Sequence, residues 1–240
     1  MIVIGLTGHI GAGKSTVADV LVRDHGFTKM SFADPIKRMV RALDPIVGYD
    51  VYECDCGDPE EREIEEVSLS RVYEYGYDDQ TIKESPWGEE IRRLWQRFGT
   101  ETVRAYDPDF WVNAALQDME SVDSERIVFD DVRFPNEAKM ILDLAGPWFA
   151  EGELYFSRIT SSLWQIARPG YEPAEDGPTD GSHTSERWAG MLDEEIQILN
   201  EDSLEQLAET TGTALAIIQD GAQPTLWEDD AELEVAFNDN

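Results

Sequence analysis

The eight residues Gly8-His-Ile-Gly-Ala-Gly-Lys14-Ser15 constrain this chain more than any other stretch. They satisfy G-x-x-x-x-G-K-[ST] in full, a pattern that has physical meaning only between a strand and a helix. Both flanks are present. Residues 2–7, "IVIGLT", form a continuous apolar, β-branched run that reads as a short buried strand. After the loop, Val17, Val20 and Leu21 recur at helical spacing, which predicts a helix from Lys14 to about Asp24. The glycines let backbone N–H groups turn inward around an anion, and the positive end of the following helix adds to their field.

"HGF" then turns the chain into a second strand near residues 28–32, completing a βαβ opening and predicting a parallel sheet covered by helices. Asp34 and Pro35 predict the next helix, with Asp34 as its cap and Pro35 at the first helical position. Residues 45–86 are acidic and irregular and read as an insertion, partly helical and partly loop. "GEEIRRLWQRFGTETV" predicts a helix up to Gly99, and "DPDFWVNAALQDM" a second one capped by Asp107 or Asp109. "RIVFDDV" is the clearest interior strand, followed by a helix with Pro135 near its start and Gly146 at its end. Further strands are expected at 153–160, 163–167, 195–199 and 214–219, with a helix at about 203–211. The 240 residues fit one domain over 1–220 that carries the insertion and a Gly/Pro-rich, lid-like loop at 168–187, with an acidic tail over 221–240.

Charge narrows the partners. Asp and Glu number 51 against 19 Lys and Arg, a formal net charge of −32. Such a surface repels polyanions, so no nucleic acid polymer is expected as partner. A composition this acidic also suits a protein living at high salt, where self-repulsion is screened. No apolar run is long enough for a membrane span, and the first residues lack a basic, cleavable leader, so a cytoplasmic protein is expected. Cys54 and Cys56 fit neither a redox pair nor half of a common zinc site. The sequence leaves room for a homodimer and carries no signal that sets the oligomeric state.

Beyond the phosphate loop, a series of motifs appears in order: "SFADPIK" (31–37), "RRLWQRFGTE" (92–101), "DPDFWV" (107–112), "DDVRFPNEA" (130–138), "ARPG" (167–170), "HTSE" (183–186) and "NEDSLEQL" (200–207). In this order they resemble the phage-type deoxynucleoside monophosphate kinases, relatives of the adenylate and guanylate kinase class. The resemblance runs from residue 1 to about 215, interrupted at 45–86 and around 147–162. It implies an α/β P-loop kinase fold: a central parallel sheet flanked by helices, with monophosphate-binding and lid insertions. It also implies ATP- and Mg2+-dependent transfer of a phosphoryl group to a (deoxy)nucleoside 5′-monophosphate, in a host cytoplasm if the source is viral.

Candidate site residues follow from chemistry and resemblance together. Gly8, Gly11, Ala12, Gly13, Lys14, Ser15 and Thr16 form the nucleotide cradle. Lys14 bridges the β- and γ-phosphates, and Ser15 is placed for the metal. A carboxylate ending the strand beside the loop is the usual second metal group; Asp131 matches the family's D-V-R pattern, with Asp130 as runner-up. Arg133 follows at the same sheet edge, and Arg168 stands at the root of the lid-like loop. On the acceptor side, Asp34 reads as a site residue or simply as a helix cap, and Lys37 and Arg38 as phosphate contacts. Arg92, Arg93 and Arg97 are a costly concentration of cations unless they meet an anion or pair with local glutamates, and Gln96 among them can read a base edge. By resemblance this helix borders the monophosphate site. Trp111 is a further candidate contact, although Trp95, Phe98 and Trp111 all suit a core equally well. His183 reads as a ligand contact or a hinge. Two other readings remain: a small-molecule kinase of the dephospho-coenzyme A type, with Asp34 as base, and a non-catalytic nucleotide-binding protein.

Overall fold

The computed structural model describes residues 1–53, 62–79, 81–146, 148–150, 153–155, 157–170, 192, 194–201 and 203–220. In chain order the strand β1 (Ile2–Thr7) leads into helix α1 (Lys14–His25), strand β2 (Thr28–Met30) and helix α2 (Asp34–Leu43). Strands β3 (Ile46–Glu53) and β4 (Arg62–Ser68) follow, then helices α3 (Leu69–Glu74) and α4 (Gly88–Gln96), and a π-helical stretch, Arg97–Arg104. Helix α5 (Phe110–Ser121), strand β5 (Arg126–Phe129) and helix α6 (Pro135–Asp143) come next. The chain continues through β6 (Trp148–Ala150), β7 (Glu153–Tyr155), β8 (Thr160–Ala167), β9 (Ile196–Leu199) and α7 (Leu204–Asp220). Two compact units result, one of Met1–Phe32 with Ala115–Asn240, the other of Ala33–Ala114.

The first unit is built on a five-stranded sheet in the order β2-β5-β1-β8-β9. Every pairing in it is parallel. This is the central parallel sheet flanked by helices expected from the βαβ opening. Ile4 and Leu6 point to one face, where Val17 and Leu21 of α1, Trp164 and Ile198 of the sheet, and Leu215 of α7 are buried together. Gly5 points to the other face, where an added Cβ would press on Val132, Ile141 and Leu163. Each fully buried aliphatic side chain contributes about 1.5–3 kcal/mol, so the sheet is held from both sides. Helix α1 ends at Gly26, which takes the left-handed conformation and donates its N–H to the Leu21 carbonyl, a stop that suits glycine.

The second unit replaces an expected irregular segment with regular structure. Within 45–86, β3 and β4 pair antiparallel, and Val47, Val67, Leu69, Val72 and Ile82 form a core with Val40 of α2 and Ile91 of α4. The high acid content hid this hairpin, because Glu63, Glu65 and Glu66 are exposed and only Val67 and its neighbours needed to face inward.

Other expectations also change. The helix over "GEEIRRLWQRFGTETV" does not stop at Gly99 but continues to Arg104 with a wider turn. A Cβ at Gly99 would lie 2.7 Å from Ile36 Cδ1, so here the glycine serves close packing rather than termination. Asp34 begins α2 from inside the helix; Ala33 is at the cap position and no side chain caps it. The strand expected at 214–219 is the C-terminal part of α7. Leu207, Thr211, Ala214 and Leu215 are buried at helical spacing against a tertiary neighbour, which overrides the local β character of "LAII". The separate strands expected at 153–160 and 163–167 are β7 and a single longer β8, and β6 had no sequence signal. No helix among the described residues is long and apolar enough to cross a membrane. The lid-like loop from residue 171 onward, with His183, together with Cys54, Cys56 and the tail 221–240, lies outside the described residues.

Candidate active site

All five strands of the parallel sheet end on one edge, and the candidate residues of the first unit follow those ends. The phosphate loop follows β1, Ser31 and Phe32 follow β2, Asp130 and Asp131 follow β5, Arg168 follows β8, and Asn200 follows β9. The carboxyl edge of an open α/β sheet is where ligands bind, and β1 occupies its centre.

The loop has the backbone its glycines permit. Gly8, Gly11 and Gly13 have φ of 131°, 81° and 109°. At Gly8 the requirement is also steric: a Cβ would stand 2.2 Å from the Ile166 carbonyl oxygen of β8. Helix α1 begins directly after Gly13 with no side-chain cap and no acidic residue in its first turn. A helix start without a cap side chain or an acidic first turn is the arrangement that favours an anion. The Lys14 ammonium folds over the loop and donates to the carbonyls of Gly8 at 2.5 Å and His9 at 2.9 Å. Ser15 is exposed on the first turn, Thr16 half-buried, and Ala12 buried.

Asp131 is a positioned carboxylate. One oxygen accepts from the Ser31 hydroxyl at 2.6 Å, the other from the Phe32 N–H at 2.8 Å. The Phe32 ring stacks on Phe129 at 4.8 Å between centroids, which fixes that donor. The Val132 N–H continues the sheet by donating to Leu6 at 3.1 Å, so Asp131 is held beside the last residues of β1 and the loop entrance. Burial, and next the charge of Asp130, push the Asp131 carboxyl above its ordinary range; Ser31, Arg133 and the Phe32 N–H oppose them. Asp130 is turned to Lys29, at 3.0 Å, and Lys29 also reaches Asp19 of α1 at 3.2 Å. Of the two adjacent acids, Asp130 is thus engaged by the Lys29 ammonium, while Asp131 accepts from the Ser31 hydroxyl and the Phe32 N–H and feels the charge of Arg133. Ser31, Phe32 and Lys29 were not identified from sequence as supports of this pair. Their signal was only a strand end a hundred positions away.

Arg133 is half-buried. Its N–H and that of Phe134 both donate to the buried Glu137 carboxylate, at 2.8 and 3.0 Å, so Glu137 caps α6 and sets the backbone that carries Arg133. Arg168 is exposed at the end of β8.

In the second unit, the arginines of α4 and of the π-helical stretch divide. Arg93 pairs with Glu90 at 2.8 Å and Arg97 with Glu101 at 3.6 Å, the local glutamate pairing that the sequence also allowed. Arg92 is exposed and Gln96 half-buried one turn on. Lys37 Nζ lies 3.2 Å from Asp34 and 6.0 Å from the Trp95 ring. Trp111 is fully buried; its indole N–H donates to the Gly99 carbonyl at 2.8 Å and its ring packs on Phe110 and Phe98. That is a core position, and Trp111 is not retained as a substrate contact.

The oxygen donors at the sheet edge suit a hard cation, but among the described residues no group of three His, Cys, Asp or Glu could hold a metal by itself. Ser15 contributes a hydroxyl and Asp131 a carboxylate, oxygen donors of the kind a magnesium ion takes.

No protein-family model matches the sequence. A protein of Acanthamoeba polyphaga mimivirus named as a deoxynucleotide monophosphate kinase is 30% identical over 158 residues, covering 61% of this chain and 71% of the relative. Among solved structures, shikimate kinase from Aquifex aeolicus matches 92% of this chain and 99% of its own, with a TM-score of 0.42 and 12% identity. TT1252 from Thermus thermophilus matches 90% and 96%, with a TM-score of 0.36 and 19% identity. Likeness this loose adds nothing to the topology already described.

Proposed function

Because this chain belongs to the deoxynucleotide monophosphate kinase family, we propose that it transfers the γ-phosphoryl group of ATP to a (deoxy)nucleoside 5′-monophosphate, forming the diphosphate and ADP. The observation that carries the reading is the loop Gly8–Ser15 with its three positive-φ glycines, set at the carboxyl end of the central strand beside the anchored Asp131.

The roles follow from geometry and charge. Loop N–H groups and the start of α1 bind the β-phosphate, and Lys14 exchanges its carbonyl partners for phosphate oxygens. Ser15 and Asp131 hold the magnesium ion, which when bound neutralises charge on the transferring phosphates. Arg133 and Arg168 place further positive charge at the same sheet edge. In the second unit, Arg92, Gln96 and Lys37 are the proposed acceptor contacts. Arg93 and Asp34 act through their ion-pair partners, Arg93 with Glu90 and Asp34 with Lys37.

An oxygen of the acceptor phosphate attacks the γ-phosphorus in line. One P–O bond forms, the bond to the β–γ bridging oxygen breaks, and the electron pair leaves with ADP. That nucleophile is already anionic, so no side-chain base is required and catalysis rests on positioning and charge neutralisation.

The test is ADP release with ATP, Mg2+ and each ribo- and deoxynucleoside monophosphate in turn. Stimulation by a subset of them is expected and names the acceptor. An ATP-binding protein that none of them stimulates would overturn the reading.

A further inference from the structure

Among the described residues, one contact joins the chain after β9 to the phosphate loop. The Asn200 side-chain amide donates to the Ala12 carbonyl at 2.8 Å across 188 positions of sequence. Its own backbone N–H donates to the Ala167 carbonyl at the end of β8, at 2.7 Å. Asn200 is thus anchored on one strand end and reaches over to the loop after another. It also lies close enough that an added Cβ on Gly13 would stand 2.4 Å from its Nδ2, so glycine is required there for close approach as well as for φ.

This contact fixes a peptide plane. In a trans peptide the carbonyl of one residue and the N–H of the next point in opposite directions. With the Ala12 oxygen held by Asn200, the Gly13 N–H is turned to the side away from that amide. Gly13 also occupies the cap position of α1 with no side-chain cap of its own. A restraint on its peptide comes from the residue that follows β9.

We propose that Asn200 is a positioning residue that preorganises the phosphate loop by holding the Ala12–Gly13 peptide in its anion-binding orientation. The role is separate from the stability of β9, whose Ile196 and Ile198 are buried in the sheet core without help from this amide. The same residue ties the loop to the end of β8, one position before Arg168. The inference rests on the proposed reading of Gly8–Ser15 as a polyphosphate site.

The experiment is calorimetric titration of the full chain with Mg2+–ADP and, as a probe without base or sugar, inorganic tripolyphosphate. It compares the wild type with Asn200→Ala and with the isosteric Asn200→Asp, and each protein's melting curve is recorded. One hydrogen bond to a loop carbonyl is worth about 0.5–1.5 kcal/mol, or roughly 2- to 12-fold in affinity. Asn200→Ala is expected to weaken both ligands by about that factor. Asn200→Asp is expected to weaken them more, because its carboxylate repels both the Ala12 oxygen and the phosphates. In turnover, the ATP KM is expected to rise while the KM for the monophosphate stays unchanged, a split that general loosening of the fold does not produce. Binding by the Asp and Ala variants equal to the wild type would overturn the assignment while leaving the kinase reading intact. Failure of the wild type itself to bind either ligand would overturn both. If Asn200→Ala melts below the assay temperature, the isosteric variant carries the comparison.

Discussion

Gly8 and Gly26 have positive φ, 131° and 69°, but only Gly8 is pressed against a neighbour. Replacing each by alanine therefore separates backbone strain from collision. At Gly26 nothing lies within 4 Å of the added Cβ. The substitution costs about 1–2 kcal/mol for the left-handed conformation, offset by about 0.4–1 kcal/mol from a stiffer unfolded chain. The net is roughly 0.5–1 kcal/mol. At Gly8 the backbone strain is about 1–3 kcal/mol, and the Cβ meets the Ile166 carbonyl oxygen at 2.2 Å. Relief requires moving the end of β1 away from β8, where Leu6 pairs with Trp164 and Thr7 with Gln165 in the ladder. Overpacking of this kind adds about 1–3 kcal/mol. The expected total is about 3 kcal/mol, which for a chain of this size lowers the melting temperature by roughly 6–12 °C. Gly26→Ala is expected to lower it by about 1–4 °C. Far-UV circular dichroism melts at fixed salt, with calorimetry to separate the two units, measure both. Equal shifts for the two variants would refute the claim that the loop entrance is packed against β8.

Lys14→Ala is expected to reduce kcat by at least about 100-fold while leaving stability within about 1 kcal/mol, because the ammonium's bonds to the Gly8 and His9 carbonyls lie within the loop itself. A normal kcat would remove it from the site. Arg133→Ala should lower kcat more than it weakens ATP binding, since its charge is proposed to act on the transferring group; an unchanged kcat would exclude it. Asp131→Asn should lose activity yet be as stable as the wild type at pH 7, or more so. The folded-state pKa of Asp131 is raised by burial and by Asp130, so the native chain holds this proton more tightly than the unfolded chain. Its contribution to stability is full below the ordinary value of 3.8 and declines as pH rises toward the folded pKa. The stability gap between variant and wild type is therefore expected to narrow as pH falls from 7 toward the ordinary value of 3.8 and to change no further below it; denaturant titrations at several pH values that show a constant gap would refute this. Finally, the net charge of −32 predicts a melting temperature that rises with KCl, and indifference to salt would sink the high-salt reading.

The sequence alone determined whatever depends on neighbouring residues. The glycine pattern, the β-branched run before it and the helical spacing after it specify strand, loop and helix within some twenty positions, because φ preference and periodicity are local properties. The parallel sheet followed from that unit, and Asp131 and Arg133 were legible as groups ending an apolar strand. The hairpin β3–β4 was not legible, because its exposed glutamates mask the few inward residues. The stretch "LAII" near 215 was misread because a short apolar run has no period of its own until α1 and the sheet supply a partner. The supports of the site were also beyond local pattern. Ser31 and Phe32 reach Asp131 across 100 and 99 positions, and Asn200 reaches Ala12 across 188. Such pairs meet only because five parallel strands bring all their carboxyl ends to one edge. Which side chains then face each other is set by strand order and register, and these exist only in the folded chain.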